Sequence, residues 1–136
     1  MILLPDNKKL RQIYAYLLLK AIEYKSPVVS YEDVGEAVAV AGVTPNKYQI
    51  KKYLLILRNH NPPLLKFYKA GLFNIFYNIL IYRVEEDEIL QTRLSDILDY
   101  RDDLSLILSD ELTENTLTYA TLLKQRIQER GVDDVQ

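Results

Sequence analysis

The sequence predicts a mainly helical fold that carries one small β-hairpin and ends in a helical extension. Three observations support this class. Apolar residues recur at helical spacing up to about residue 58, aromatic and β-branched residues crowd the stretch that follows, and an acidic segment with a helical apolar pattern begins at Glu85. At 136 residues, with 49% hydrophobic and 26% charged residues, the chain fits one folded domain, or one domain with an appendage.

The first helix is predicted between Pro5 and Pro27. Asp6 or Asn7 can serve as its N-cap, because short polar side chains accept hydrogen bonds from the free amides of a first helical turn. Lys25-Ser26-Pro27 ends the helix, since the residue before a proline is disfavoured in the helical conformation. One apolar stripe is expected to face the core: Leu10, Ile13, Tyr14, Leu17, Leu18, Ala21 and Ile22.

The second helix is predicted to be short, over about residues 31–41. Val28 and Val29 form an extended piece before it, and Ser30 can cap its first amides. Gly42 is a natural stop, because glycine readily adopts the left-handed conformation that follows a helix end.

The third helix is predicted from Pro45 to about Arg58, with Thr44 as its N-cap, because proline is favoured in the first turn of a helix. The double proline at 62–63 prevents any continuation. Its inner face is expected to consist of Ile50, Tyr53, Leu54 and Leu57.

The remainder divides into an aromatic part and an acidic part. Residues 64–68 and 72–84 flank a turn at Gly71 and are interpreted as a hairpin, although the longer arm could equally line a helix. The acidic run at 85–88 is predicted to open a helix. The apolar pattern continues through Ile89, Leu90, Leu94, Ile97, Leu98, Leu104, Ile107 and Leu108, and a last helix is expected from Thr113 to Gly131.

The formal charge of −2 conceals a strong asymmetry. Residues 1–84 carry nine Lys and three Arg against five acidic residues, a net charge of +7, whereas residues 85–136 carry five basic against fourteen acidic residues, a net charge of −9. Such a division favours a basic domain over 1–84 that faces a polyanion and an acidic helical extension over 85–136. The alternative is that each segment has only a solvated charged surface.

The order of the predicted elements resembles the winged helix-turn-helix superfamily over about residues 8–84: helix, short extended piece, short helix, tight turn, third helix and hairpin. The resemblance implies that the helix at about 45–58 reads a DNA groove and that the hairpin acts as a wing. A lysine-rich helix face is more often simply solvated, and that alternative stays open. The implied phosphate or base contacts come from Lys47, Tyr48, Lys51, Lys52 and Arg58 on the helix and from Lys66 and Lys69 on the wing.

The residue types argue against an enzyme. The chain has no cysteine, a single histidine at His60 and four glycines that form no phosphate-binding loop, so we expect no metal site, no cofactor and no catalytic residue. The apolar run at 72–80 is far shorter than the roughly 20 residues that span a bilayer, and no secretory signal is recognised. A cytoplasmic location is expected.

Two functions remain. The first is a double-stranded DNA-binding protein, in particular a dimeric transcriptional regulator that pairs through residues 85–136. The second is an adaptor or inhibitor that binds a partner protein through the acidic helical surface and uses the winged helix only as a scaffold. The acidic segment could also fold back on the basic surface and compete with DNA.

Overall fold

The computed structural model describes residues 1–72 and 74–109. Within these residues the chain forms four α-helices, one 3₁₀ helix and five strands in two antiparallel sheets, so the prediction of a mainly α fold is wrong and the fold combines helices with sheets. The elements are α1 (Lys8–Tyr24), β1 (Val28–Val29), α2 (Tyr31–Val40), α3 (Lys47–Asn59), β2 (Leu65–Ala70), β3 (Asn74–Ile79), β4 (Tyr82–Glu85), β5 (Glu88–Gln91), the 3₁₀ helix (Leu94–Tyr100) and α4 (Arg101–Leu108).

The first two helices begin and end as the sequence predicts. The Asn7 side chain accepts a hydrogen bond from the Leu10 amide at 3.0 Å, and Lys25 ends α1 in the left-handed conformation at φ 55°. Ser30 and Asp33 form a reciprocal capping box at the start of α2. These caps are local interactions, which explains why the sequence alone locates them.

The third helix begins two residues later than predicted. Asn46, not Thr44, is the N-cap, and its side chain accepts a hydrogen bond from the Gln49 amide at 2.9 Å. The Thr44 carbonyl instead accepts the Asn46 amide at 2.9 Å in the turn before α3. The predicted inner face of the helix is confirmed, since Ile50, Tyr53, Leu54 and Leu57 are all buried.

The hairpin that turns at Gly71 is confirmed, but its second arm is a strand only over Asn74–Ile79. It is shorter than the predicted 72–84, because Tyr82–Glu85 pairs with β5 in the second sheet. β2 and β3 pair in register from Leu65 with Ile79 to Ala70 with Asn74. β1 adds to the other edge of β3, giving a three-stranded sheet in the order β1-β3-β2.

The prediction that residues 85–88 open a helix is wrong. β4 and β5 pair up to Glu85 and Glu88, and the two residues between them, Glu86 and Asp87, have φ values of 48° and 68°. Two left-handed residues in a two-residue loop are typical of type I′ hairpin turns. The chain start lies along β4, with hydrogen bonds from Leu3 N to Tyr82 O and from Val84 N to Met1 O. The acidic run resembles a helix start locally, but pairing with the distant N-terminal residues favours a strand.

One hydrophobic core joins the helices and the three-stranded sheet. Ile97, Leu104 and Ile107 belong to the same buried cluster as the inner face of α1, against which α4 packs. The change of charge at position 84 therefore falls inside a hairpin, and residues on both sides of it contribute to one core. The last predicted helix, from Thr113 to Gly131, lies outside the described residues.

A series of hydrogen bonds connects α1 to α3 through both arms of the hairpin. The hydroxyl of Tyr14 donates to the Leu80 carbonyl at 2.6 Å, and the Leu80 amide donates to the Leu64 carbonyl at 3.0 Å. The Leu64 amide in turn donates to the Leu57 carbonyl at 3.0 Å. All four residues are buried, so these bonds fix the end of α3 relative to the roots of β2 and β3.

Replacing Tyr14 with Phe is expected to lower the free energy of unfolding by about 1.5 kcal/mol at pH 7, because the buried Leu80 carbonyl loses its partner. Burial raises the pKa of the Tyr14 phenol above its ordinary value of 10.0. Above pH 10 the unfolded chain therefore loses a proton that the folded chain keeps, which destabilises the wild type by about 1.4 kcal/mol per pH unit. Urea unfolding should thus show the advantage of Tyr14 over Phe vanishing near pH 11, while the exposed Tyr68→Phe changes stability by less than about 0.5 kcal/mol at pH 7.

At the β4–β5 turn, Asp87→Gly is expected to raise the free energy of unfolding by about 0.5 kcal/mol, because glycine adopts a positive φ without strain. The matched variant Glu85→Gly should lower it by about 0.5–1 kcal/mol, since Glu85 lies in β4. Thermal or urea unfolding of both variants measures the difference. Equal effects of the same sign would contradict the turn geometry.

Candidate nucleic-acid interface

The exposed face of α3 carries four of the residues singled out in the sequence. Lys47, Tyr48, Lys51 and Lys52 are all exposed, and Tyr48 retains 73% of its accessible surface. Residues four apart on a helix are neighbours, so the face consists of two adjacent pairs, 47 with 51 and 48 with 52. The opposite side of α3 is buried in the core, which holds this lysine face outward.

Among the residues that the structure describes, no carboxylate neutralises the charges of this face. Within residues 1–72 and 74–109, none of the three α3 lysines forms an ion pair. Two of the three carboxylates of α2 contact α1: Asp33 accepts from the Tyr24 hydroxyl at 2.8 Å, and Glu36 accepts from the Tyr16 hydroxyl at 2.7 Å. The lysine face is therefore a site where an anion would gain the full attraction of several cations.

The last turn of α3 is joined to the hairpin by a cation–π contact. The guanidinium of Arg58 lies 4.8 Å from the centre of the Phe67 ring on β2. Phe67 meets Tyr77 of β3 edge to face, with ring centres 5.3 Å apart. Arg58 therefore stacks on the β2–β3 hairpin, and this contact adds to the buried hydrogen bonds that set the angle between α3 and the hairpin.

The two lysines of β2 lie on opposite faces of the sheet. Side chains alternate along a strand, so Lys69 shares the face of Phe67, whereas Lys66 lies on the other face with Tyr68. The structure thus places Lys69 on the face of the hairpin that Arg58 contacts, and it separates Lys66 from that face. Both lysines are exposed.

Sequence patterns missed the exposed apolar residues of the hairpin. Leu72 at the turn is 83% exposed, and Tyr68, Ile75 and Phe76 are about half exposed. Ile75 and Phe76 are adjacent in β3 and lie on opposite faces of the hairpin, so strand alternation with one buried face does not predict that both are exposed.

A concave region lies between the chain start and the 3₁₀ helix. It is a cavity of about 190 Å³ lined in part by Arg83, Glu85, Thr92 and Asp96. The Nε atom of Arg83 is buried there without a hydrogen bond, 3.5 Å from a Glu85 carboxylate oxygen. The charges on its wall are mixed, so the cavity favours neither an anion nor a cation.

The part of the chain that the structure describes holds neither a cluster of metal-binding side chains nor a membrane-spanning helix. No group of three histidine, aspartate or glutamate side chains is placed to hold a metal ion there. None of the helices in these residues combines the length and the apolar character needed to cross a bilayer.

Comparisons of the chain with protein-family models, with curated proteins and with solved structures give no match. The function is therefore argued from the geometry of the site alone.

The start of α3 can be tested directly. Asn46→Ala removes the observed cap and should lower the free energy of unfolding by about 1 kcal/mol, whereas Thr44→Ala should change it by less than about 0.5 kcal/mol. Urea unfolding of the two variants measures both effects. A larger loss from Thr44→Ala would place the cap where the sequence pattern predicts it.

Proposed function

We propose that this protein binds double-stranded DNA, with α3 in the major groove and the β2–β3 hairpin against the neighbouring backbone, and that it acts as a dimeric transcriptional regulator. The observation that carries the proposal is the lysine face of α3, which is exposed and forms no ion pair with the described residues, beside a hairpin that also carries lysines. This arrangement presents positive charge along two elements at a fixed angle.

The order of the elements supports the proposal. The chain runs α1-β1-α2-α3-β2-β3, and β1 joins the sheet next to β3. This is the arrangement expected for a winged helix, in which the third helix is presented to the groove and the hairpin forms the wing.

The dimensions and residue types of α3 suit a major groove. A helix with its side chains is about 10–12 Å across, which matches a groove about 12 Å wide. Lysines at 47, 51 and 52 would bind phosphates, contacts that supply affinity and orientation but little sequence preference. Tyr48 is placed among them to contact base edges. Arg58, stacked on Phe67, acts as a positioning residue between helix and wing.

Pairing and location complete the proposal. Reading two half-sites requires a dimer, and we assign the pairing to residues 85–136. Exposed Leu98 of the 3₁₀ helix and Leu106 of α4 support this assignment, since each retains nearly half of its accessible surface. We place a regulator of this kind in the cytoplasm.

The decisive variant is Lys51→Glu with Lys52→Glu. At about 50 mM salt, we expect at least a tenfold loss of affinity for a fluorescently labelled duplex, and a salt dependence of log affinity that is shallower by about two. The control is Lys8→Glu with Lys9→Glu, which makes the same change of charge on exposed residues of α1 and should weaken binding less than about threefold. Fluorescence anisotropy over a salt series measures both. Equal losses from the two pairs would mean that only net charge matters and that α3 is not the binding element.

A partner-protein adaptor is the second candidate function. It is favoured by the four consecutive exposed carboxylates of the β4–β5 hairpin, Glu85 to Glu88, which offer a negatively charged surface to a basic partner. The same anisotropy experiment distinguishes the DNA-binding function from the adaptor function. Absence of binding to duplex DNA at low salt contradicts the first function and leaves the second.

A further inference from the structure

The outward side of the three-stranded sheet carries two exposed aromatic rings side by side. Tyr68 of β2 and Phe76 of β3 are directly opposite each other in the register, and they retain 48% and 44% of their accessible surface. Directly opposite side chains of an antiparallel pair have Cβ atoms about 5 Å apart, so the two rings together form one apolar platform. We call the residues that share this side the outer sheet face: Val28, Lys66, Tyr68, Ala70, Asn74, Phe76 and Asn78.

The burial pattern shows that this face points to solvent. Every residue of the outer sheet face is exposed except Asn78, which is half-buried. Within residues 1–72 and 74–109, the rings of Tyr68 and Phe76 form no ring–ring or cation–π contact, whereas Phe67 and Tyr77 on the inner face meet edge to face. Side chains alternate along a strand, and the alternate residues that pack in the core are all buried: Val29, Leu65, Tyr77 and Ile79.

We propose that the outer sheet face binds the unpaired bases of a single-stranded nucleic acid. Each base has a flat face, and an exposed aromatic side chain stacks on that face whatever the base is. In a duplex the flat faces are covered by neighbouring base pairs, so a platform on a sheet can reach only bases that are unpaired. The site is separate from α3, and the inference does not depend on the proposed binding of duplex DNA.

The charge of the surrounding chain suits a polyanion. From Ala37 to Val84 the sequence contains five Lys and two Arg but no Asp or Glu. This stretch includes α3 and both strands of the hairpin. Lys66 lies on the outer sheet face two residues from Tyr68, about 7 Å along β2, so its ammonium group can bind a phosphate next to a stacked base.

Two asparagines flank Phe76 on the same face. Asn74 and Asn78 are each two residues from Phe76 along β3. An asparagine side chain has both hydrogen-bond donors and an acceptor, and unpaired bases are recognised through hydrogen bonds to their edges. A base stacked on Phe76 is therefore within reach of two side chains that can hydrogen bond to its edge.

The size of the face favours a short single strand over a folded protein. Three strands about 4.8 Å apart and about 20 Å long cover roughly 300 Å², and β1 is only two residues long, which reduces this area further. A stable protein interface buries about 800 Å² on each partner. The face is thus too small to hold a second copy of this chain by itself, but it is large enough for two or three stacked bases.

Fluorescence anisotropy with the full chain and a labelled strand of about twelve thymidines tests single-strand binding. At about 50 mM salt, Tyr68→Ala with Phe76→Ala should lower the affinity at least about tenfold, because two stacking contacts are lost. Affinity for a labelled duplex should change less than about threefold, since α3 is unaltered. The matched control is Val40→Ala with Ile89→Ala, which truncates two half-exposed side chains on α2 and β5 and should leave both affinities within about threefold of the wild type.

A tryptophan probe locates the contact. The chain contains no tryptophan, so Phe76→Trp supplies a single indole on the outer sheet face. Stacking of a base on this indole should quench its fluorescence as the single strand is added, whereas Val40→Trp on α2 should show no change.

The outcomes for the outer sheet face and for α3 are distinguishable. Absence of single-strand binding by the wild type, equal affinity after Tyr68→Ala with Phe76→Ala, or no quenching of Phe76→Trp overturns this inference and leaves duplex binding by α3 intact. No quenching is also the result expected if another segment of the chain covers this face. Quenching by the single strand without any binding of duplex DNA supports the inference and overturns the proposed function of α3.

Discussion

The buried hydrogen bonds from Tyr14 through Leu80 and Leu64 to Leu57 are the constraint on which the geometry of this protein depends. They run from α1, across the roots of both hairpin strands, to the last turns of α3. Each bond satisfies a backbone group that would otherwise be buried without a partner, so none can be lost without a penalty. Because they connect three elements at one place, they fix the direction in which the hairpin leaves α3. The cation–π contact between Arg58 and Phe67 extends the same connection toward the surface.

The helix α1 is able to anchor these bonds because it is enclosed on most sides. It contacts α2, α4, the three-stranded sheet and the 3₁₀ helix. Even Arg11 of α1 is buried. Its guanidinium donates a hydrogen bond to the Asp6 carbonyl at 2.8 Å, and loss of solvent lowers its pKa. Part of this enclosure comes from the acidic portion of the chain, since Leu104 and Ile107 of α4 are fully buried. Residues beyond position 84 therefore contribute to holding the basic surface in place, in addition to any role in association.

The elements that could be predicted from sequence are those whose causes are local. The caps at Asn7 and Ser30 and the inner face of α3 depend on residues within four positions of each other, and a single sequence contains that information. The acidic run at 85–88 predicts a helix because its local signal is the same as that of a helix start. These residues form a strand hairpin instead, because β4 pairs with residues 1–3, about 80 positions away. No local sequence pattern contains information about that pairing. The same limit applies to the start of α3, where the sequence pattern predicts the cap at Thr44 but the turn that precedes the helix leaves Asn46 as the cap.

The candidate site shows the same division between local and distant causes. Periodicity alone places the α3 lysines opposite a buried face, so their exposure follows from the sequence. The position of the hairpin relative to α3 cannot be predicted from the sequence, because it depends on the register of β2 with β3 and on the hydrogen bonds that reach Tyr14. That register puts Lys66 and Lys69 on opposite faces and leaves Leu72 at the tip. The bonds through Leu57, Leu64 and Leu80 hold the base of this hairpin against the end of α3, so its exposed side chains are carried by a rigidly attached ribbon and not by a connecting loop.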